Sequence, residues 1–216
     1  DNTFLTSVQQ PVFVHGADVA VLSTTKYVEG HDSTTGGALL TDDPKLNERL
    51  ALTRSATGSI QAPMDAWLTL RGIKTLPLRL AAHSASALSI AKLLEAHPSV
   101  GAVHYPGLES FPGFELANAQ QSAGGGILAF ELDPRILPRF VESLRLITLA
   151  ENLGATESLI THPASMTHSQ IPPATRQRLG IGEGLLRLSV GLEDIDDLVR
   201  DLQGALVIAC GSEVQA

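Results

Sequence analysis

The stretch Ala17-Asp18-Val19-Ala20-Val21-Leu22-Ser23-Thr24-Thr25-Lys26-Tyr27-Val28-Glu29-Gly30-His31-Asp32-Ser33-Thr34-Thr35-Gly36-Gly37 decides how the chain reads. Ala17–Ser23 is a short apolar run containing two valines, and Gly36-Gly37-Ala38-Leu39-Leu40 is another, each bounded by turn formers. Both predict buried strands. Between them runs a polar, hydroxyl-rich loop with a single lysine, and loops held by rigid strands are where reactive side chains concentrate. Toward the start, Asp1-Asn2-Thr3-Phe4 reads like a strand end, so the sequence is expected to open within a domain. Toward the end, Asp43-Pro44 predicts a helix through Leu52, with Pro44 in a first turn where its missing N–H is tolerated. Residues Pro63 to His97 carry Trp67, Leu70, Ile73, Leu80, Leu88, Ile90 and Leu94 at helical spacing, with Gly72 and Pro77 expected to bend or divide the helix. Ser99–His104, Ile127–Leu132 and Leu185–Val190 predict strands, and Leu137–Leu144 predicts a helix. A closing helix over Asp194–Ala209 places Ile195, Leu198, Leu202 and Leu206 on one face. The pattern is α/β at the start and α+β after about residue 84.

Composition excludes several classes. Of 216 residues, 44% are hydrophobic and 18% charged, the balance of a globular protein with a real core. The formal charge is −8 and aromatics are only 4%, the wrong balance for gripping phosphate backbones or stacking bases, so no nucleic-acid partner is expected. No apolar run approaches the ~20 residues of a bilayer-spanning helix, so no membrane partner is expected. Cys210 is the sole cysteine and no basic-then-apolar leader precedes Asp1, which makes cytoplasm the expected location.

Five ordered segments carry chemistry. The first joins Asp1-Asn2-Thr3-Phe4 to Ser23-Thr24-Thr25-Lys26-Tyr27, with Gly30-His31 and Gly36-Gly37 following. The others are Leu70-Arg71-Gly72-Ile73-Lys74-Thr75-Leu76, Leu149-Ala150-Glu151-Asn152-Leu153-Gly154, His162-Pro163-Ala164-Ser165-Met166-Thr167-His168, and Leu186-Arg187-Leu188-Ser189-Val190-Gly191. Together they resemble the cystathionine γ-synthase/γ-lyase family of pyridoxal-phosphate-dependent Cys/Met metabolism enzymes, matching its C-terminal part. The resemblance implies an α/β, aspartate-aminotransferase-like (fold type I) architecture. Residues 1–84 would be the C-terminal part of the pyridoxal-phosphate-binding domain, and 85–216 the smaller C-terminal α+β domain. It also implies a homotetramer built as a dimer of dimers when full length, acting on small amino-acid substrates.

Residue by residue, the resemblance makes Lys26 the amine that carries pyridoxal 5'-phosphate and later moves protons on the substrate carbons. Only a primary amine forms a linkage that an incoming amino acid can displace. Asp1 matches the carboxylate beside the pyridine nitrogen, Thr3 lies next to the ring, and the Ser23 and Thr25 hydroxyls bind the phosphate. Arg187 takes the substrate α-carboxylate, to which a planar guanidinium is matched two-pronged. Asn152 stands where the family usually has serine as a second carboxylate contact. Glu151 is associated with the cystathionine γ-enzymes, where methionine γ-lyases have a small apolar residue. The reading is therefore γ-replacement, an O-acylhomoserine plus cysteine giving cystathionine, with cystathionine γ-lyase and O-acylhomoserine sulfhydrylase as alternatives. A reading of another class is a catalytically silent fragment or subunit, because the family's N-terminal arm, phosphate loop and ring-stacking tyrosine match nothing here. The few strands before residue 84 are too few to finish a parallel sheet, so these residues alone are expected to bind the cofactor poorly.

The remaining candidates read as structural. His162 and His168 lack the i,i+4 spacing of a helical metal pair. Ser122-Ala123-Gly124-Gly125-Gly126 precedes a strand and so has no helix N-terminus to complete an anion site. Cys210 has no basic neighbour to stabilise a thiolate.

Overall fold

The computed structural model describes residues 1–211. In chain order it contains α1 (Thr6–Gln9), β1 (Ala20–Ser23), β2 (Gly37–Leu40), α2 (Pro44–Thr57), α3 (Pro63–Ile73), α4 (Leu76–Glu95) and β3 (Val100–His104). It continues through α5 (Phe114–Gln120), β4 (Ile127–Leu132), α6 (Leu137–Ser143), β5 (Thr148–Leu149), β6 (Leu159–Thr161), α7 (Pro173–Arg178), β7 (Leu185–Ser189) and α8 (Ile195–Cys210).

The strands form two sheets. β1 and β2 pair antiparallel, Ala20 opposite Leu40 and Ser23 opposite Gly37, so the lysine-bearing loop is the connection of a two-stranded ribbon. The second sheet has the order β3-β4-β7-β6-β5, antiparallel except for the β5/β6 pair. Arg187 lies in its central strand, opposite Ala129 of β4 and Thr161 of β6. One face of this sheet meets α4, α6 and α8, and Ile90, Leu94, Phe130, Leu186, Leu188 and Leu202 are fully buried between them. Phe130 and Phe140 meet edge to face at 6.0 Å.

Local signals set the helix boundaries. Asp43 caps α2 by accepting from the Lys45 and Leu46 N–H groups, and α2 runs to Thr57, past the expected Leu52, because no breaker intervenes before Gly58 at φ +70°. Residues 63–95 are divided at Lys74-Thr75, between the Gly72 and Pro77 that predicted the break. In α8 the Asp194 carboxylate accepts from Asp196 and Asp197, and Leu198, Leu202 and Leu206 are fully buried as their spacing predicts.

Two expectations are corrected, and α3 shows an unusual face. β2 is not a buried strand: Leu39 is 54% and Leu40 39% exposed, because among the described residues β2 pairs with β1 alone and nothing covers its outward side chains. Asp1–Phe4 is a turn beside β1 rather than a strand, attached through the Asn2 N–H donating to Val21 O at 2.9 Å. In α3 the apolar residues Trp67, Leu70 and Ile73 face outward, and the buried positions are the small Thr69 and Gly72. That inversion follows from what α3 packs against, the backbone of the lysine turn, which only small residues can approach.

Candidate active site

Directly after β1, Thr24–Val28 form one wide helical turn in which the Glu29 N–H reaches back to Thr24 O at 3.0 Å. Lys26 sits inside it with non-helical dihedrals, φ −89° and ψ −135°. Partners far along the chain hold this turn. α3 contributes Gly72, where a Cβ would stand 2.3 Å from Glu29 O and 2.8 Å from Glu29 Cα, so no larger residue permits this approach. α4 contributes the buried Arg79, whose Nη1 donates to Tyr27 O (2.8 Å) and whose Nη2 donates to Gly72 O (2.8 Å) and Val28 O (3.4 Å). The Tyr27 and Val28 carbonyls lie where the irregular turn supplies no backbone donor, and a buried carbonyl without a partner costs about 1–3 kcal/mol. The segment before β6 contributes Gly154 at φ +79°, where a Cβ would lie 2.8 Å from Tyr27 N, and Thr156, whose N–H donates to Gly30 O at 3.0 Å. Beneath the turn the Tyr27 ring is fully buried, edge-on to His83 at 5.1 Å.

The side chains converge above it. Lys26 Nζ donates to Asn152 Oδ1, and Asn152 Nδ2 donates to Asp32 Oδ1 at 2.5 Å. From β7, Arg187 Nη2 donates to Glu151 O (3.0 Å), Asn152 O (3.1 Å) and Thr161 Oγ1 (2.9 Å), which anchors one edge of the guanidinium to the Glu151-Asn152 backbone. Its Nε is buried without a partner. Burial pushes the Lys26 ammonium below its ordinary pKa, with Asp32 opposing and Arg187 adding to the fall. Burial raises the Asp32 carboxyl, and Glu157 raises it further. Arg187 opens onto a cavity of about 400 Å³ lined with Phe4, Leu5, Phe111, Gly125 and Ile127.

A second hollow, about 470 Å³, shares Phe4 and Leu5 with the first and is bordered by Asp1, Thr3 and Ser23. Here the Asp1 carboxylate accepts from the Thr3 N–H (2.8 Å) and the Thr3 hydroxyl accepts from the Ser23 N–H (2.9 Å). The Thr25 hydroxyl bonds the loop backbone, accepting from Gly36 N–H at 2.9 Å and donating to Gly36 O at 3.3 Å. Glu151 contributes its carbonyl to Arg187 while its carboxylate stands exposed at the edge, where its charge favours the guanidinium cation. The structure thus brings Lys26, Asn152 and Arg187 into one cluster and Asp1, Thr3 and Ser23 into another beside it.

Two participants escaped the sequence reading. Arg79 falls at the buried phase of α4 with Leu76, Leu80, His83 and Ala87, and a cation within an apolar helical phase is a readable signal. Asp32 has no local signal. His162 has both ring nitrogens engaged, with Ser165 Oγ (2.7 Å) and Glu183 O (3.0 Å), and Gly124–Gly126 form the entry to β4, with Gly126 O accepting from Val190 N–H. Cys210 donates to Ser99 Oγ at 3.2 Å.

The family model for Cys/Met metabolism PLP-dependent enzymes matches residues 1–207. The chain belongs to that family. Cystathionine beta-lyase of Lactococcus lactis subsp. cremoris is 48% identical over 208 residues, which is 95% of this chain and 54% of the relative. Cystathionine gamma-lyase of Bacillus subtilis is 45% identical over 207 residues, 95% of this chain and 55% of the relative. Cystathionine gamma-synthase from Xanthomonas oryzae pv. oryzae, solved in complex with cystathionine, superposes with a TM-score of 0.95 at 45% identity, covering 98% of this chain and 55% of that one. The chain therefore spans about half the length of the relatives it matches. The family it belongs to is one of PLP-dependent enzymes. Its residues have the chemistry the cofactor requires: a partly buried amine of lowered pKa, and Arg187 Nε as a buried donor without a partner.

Proposed function

We propose that the full-length protein catalyses γ-replacement on an O-acylhomoserine, with cysteine as the nucleophile and cystathionine as the product. The observation that carries this reading is the single bridge from Lys26 through Asn152 to Arg187, with the Glu151 carboxylate at its outer edge. Lys26, Asp1, Thr3, Ser23 and Thr25 would hold pyridoxal 5'-phosphate, with residues 1–84 belonging to its binding domain and 85–216 to the smaller domain. When bound, the cofactor supplies an electron-accepting ring conjugated to the substrate Cα. Arg187 binds and orients the substrate α-carboxylate, for which its unpartnered Nε is a waiting donor. The Lys26 amine, whose lowered pKa supports base work, takes the proton from Cα, serves the neighbouring carbon, and returns the proton to Cα once the new Cγ bond has formed. The Cγ–O bond to the acyl group breaks, the carboxylate departs, and the cysteine thiolate forms the Cγ–S bond. Glu151 attracts the ammonium group of the incoming cysteine, which an apolar residue would not do. The reading includes a homotetramer in the cytoplasm, supported by the resemblance and by the solitary cysteine.

Two measurements on the full-length protein test this. Borohydride reduction followed by peptide mapping should place the cofactor on Lys26, and Lys26→Ala should lose the adduct and nearly all turnover. An adduct on another lysine refutes the assignment. Single-turnover product analysis with succinyl- or acetylhomoserine and cysteine should yield cystathionine. Pyruvate or 2-oxobutyrate formed from cystathionine, without net synthesis, replaces the reading with a lyase.

A further inference from the structure

Asp32 has no role in the reading above, yet it closes a chain of contacts on the reactive amine. Its carboxylate accepts from Asn152 Nδ2 at 2.5 Å, and Asn152 Oδ1 accepts from Lys26 Nζ. The orientation of that amide follows from chemistry. An ammonium only donates and a carboxylate only accepts, so an amide between them satisfies both only with its oxygen toward the lysine and its nitrogen toward the aspartate. The Asp32 backbone is at φ +54°, a left-handed conformation that aspartate adopts more readily than most residues. The arrangement also gives a reason for asparagine at position 152, because an amide presents donor and acceptor on separate atoms.

We propose that Asp32 is a positioning residue for Lys26: it locks the Asn152 amide so that its oxygen holds the lysine amine beside Arg187. The inference rests on the reading that Lys26 is the reactive amine. The charged groups acting on the amine are Asp32 and Arg187, and those acting on Asp32 are Glu157, Glu29 and Lys26.

The test uses the full-length protein stripped of cofactor and follows acylation of Lys26 against pH by mass spectrometry, with Lys45, Lys74 and Lys92 as internal references. The midpoint reports charge, whereas the high-pH plateau reports how freely the amine moves. Asp32→Ala and Asn152→Ala should each raise the Lys26 plateau about two- to ten-fold, the factor that one net hydrogen bond carries. The double variant should match either single one, because both act through one link. Asp32→Asn retains an acceptor, so its plateau should stay at the wild-type level while its midpoint moves to lower pH. An unchanged plateau in Asp32→Ala, multiplying effects in the double variant, or reference lysines that rise in step with Lys26 would each overturn the proposal. The borohydride mapping fails independently, since it reads where the cofactor attaches and not how the amine is held.

Discussion

Gly72→Ala should destabilise the protein even though it removes a glycine from a helix. In an open helical position the exchange stabilises by about 0.8–1 kcal/mol, through backbone entropy. At position 72 the new methyl would lie 2.3 Å from Glu29 O and 2.8 Å from both Glu29 Cα and Val28 O. All three atoms are main chain, so no side chain can rotate away, and restoring ordinary contact requires α3 and the lysine turn to separate by about 1 Å. Overpacking costs roughly 1–3 kcal/mol, and with three main-chain atoms this close the cost falls in the upper part of that range, so the steric term exceeds the propensity term and leaves a net loss of up to about 2 kcal/mol. The control lies in the same chain: a Cβ at Gly204, exposed in the middle of α8, meets nothing within 4 Å. Gly204→Ala should therefore stabilise by the full propensity difference. With a conversion of roughly 2–4 °C per kcal/mol for a unit of this size, thermal scans should separate the two variants by several degrees in opposite directions. Cofactor content should fall only in Gly72→Ala, because only that change moves the Lys26 turn. Equal or parallel shifts of the two variants would show that the approach of α3 to the turn is not tight, and the reasoning would fail.

Arg187→Leu should raise KM for the amino-acid substrate by about 30-fold or more while leaving cofactor absorbance unchanged, since removing one side of a buried charge pair costs roughly 2–5 kcal/mol of binding; loss of the cofactor with normal substrate affinity would overturn its role. His83 is fully buried, its Nδ1 2.7 Å from Val190 O and its Nε2 without a partner, and burial holds its pKa below 6.5. Below that pH the unfolded chain takes up a proton that the folded one refuses, so stability falls as pH drops through and below 6.5. Urea midpoints between pH 7 and pH 5 should decline less steeply in His83→Gln, and an identical slope would remove His83 as the cause.

Much of the candidate site is legible in the linear order of residues. The apolar runs around residues 20–23 and 37–40 frame a polar loop with one lysine, and this needs only the runs and their punctuation. The division of residues 63–95 follows from Gly72 and Pro77, and the buried face of α8 follows from its spacing. Such features are local, because each is decided by residues within a turn or two. The roles of Asp1, Thr3, Ser23, Thr25, Asn152 and Glu151 came from ordered motifs resembling a known family, which spacing alone does not supply.

Tertiary structure decided what lies across long sequence separations. Asn152 is 126 residues from Lys26 and 120 from Asp32, and no periodicity in either segment encodes their meeting. Arg79 reaches the Tyr27 carbonyl from 52 residues away, and Gly72 reads from sequence as a helix breaker when its main service is a close backbone approach. The exposure of Leu39 and Leu40 likewise depends on which neighbours the ribbon finds, not on how apolar it is. Propensity and periodicity report free energies summed within a segment. Burial and hydrogen bonding in the lysine turn depend on the path that brings residues 72, 79, 152 and 154 onto the loop after β1, and that path exists only in the folded chain.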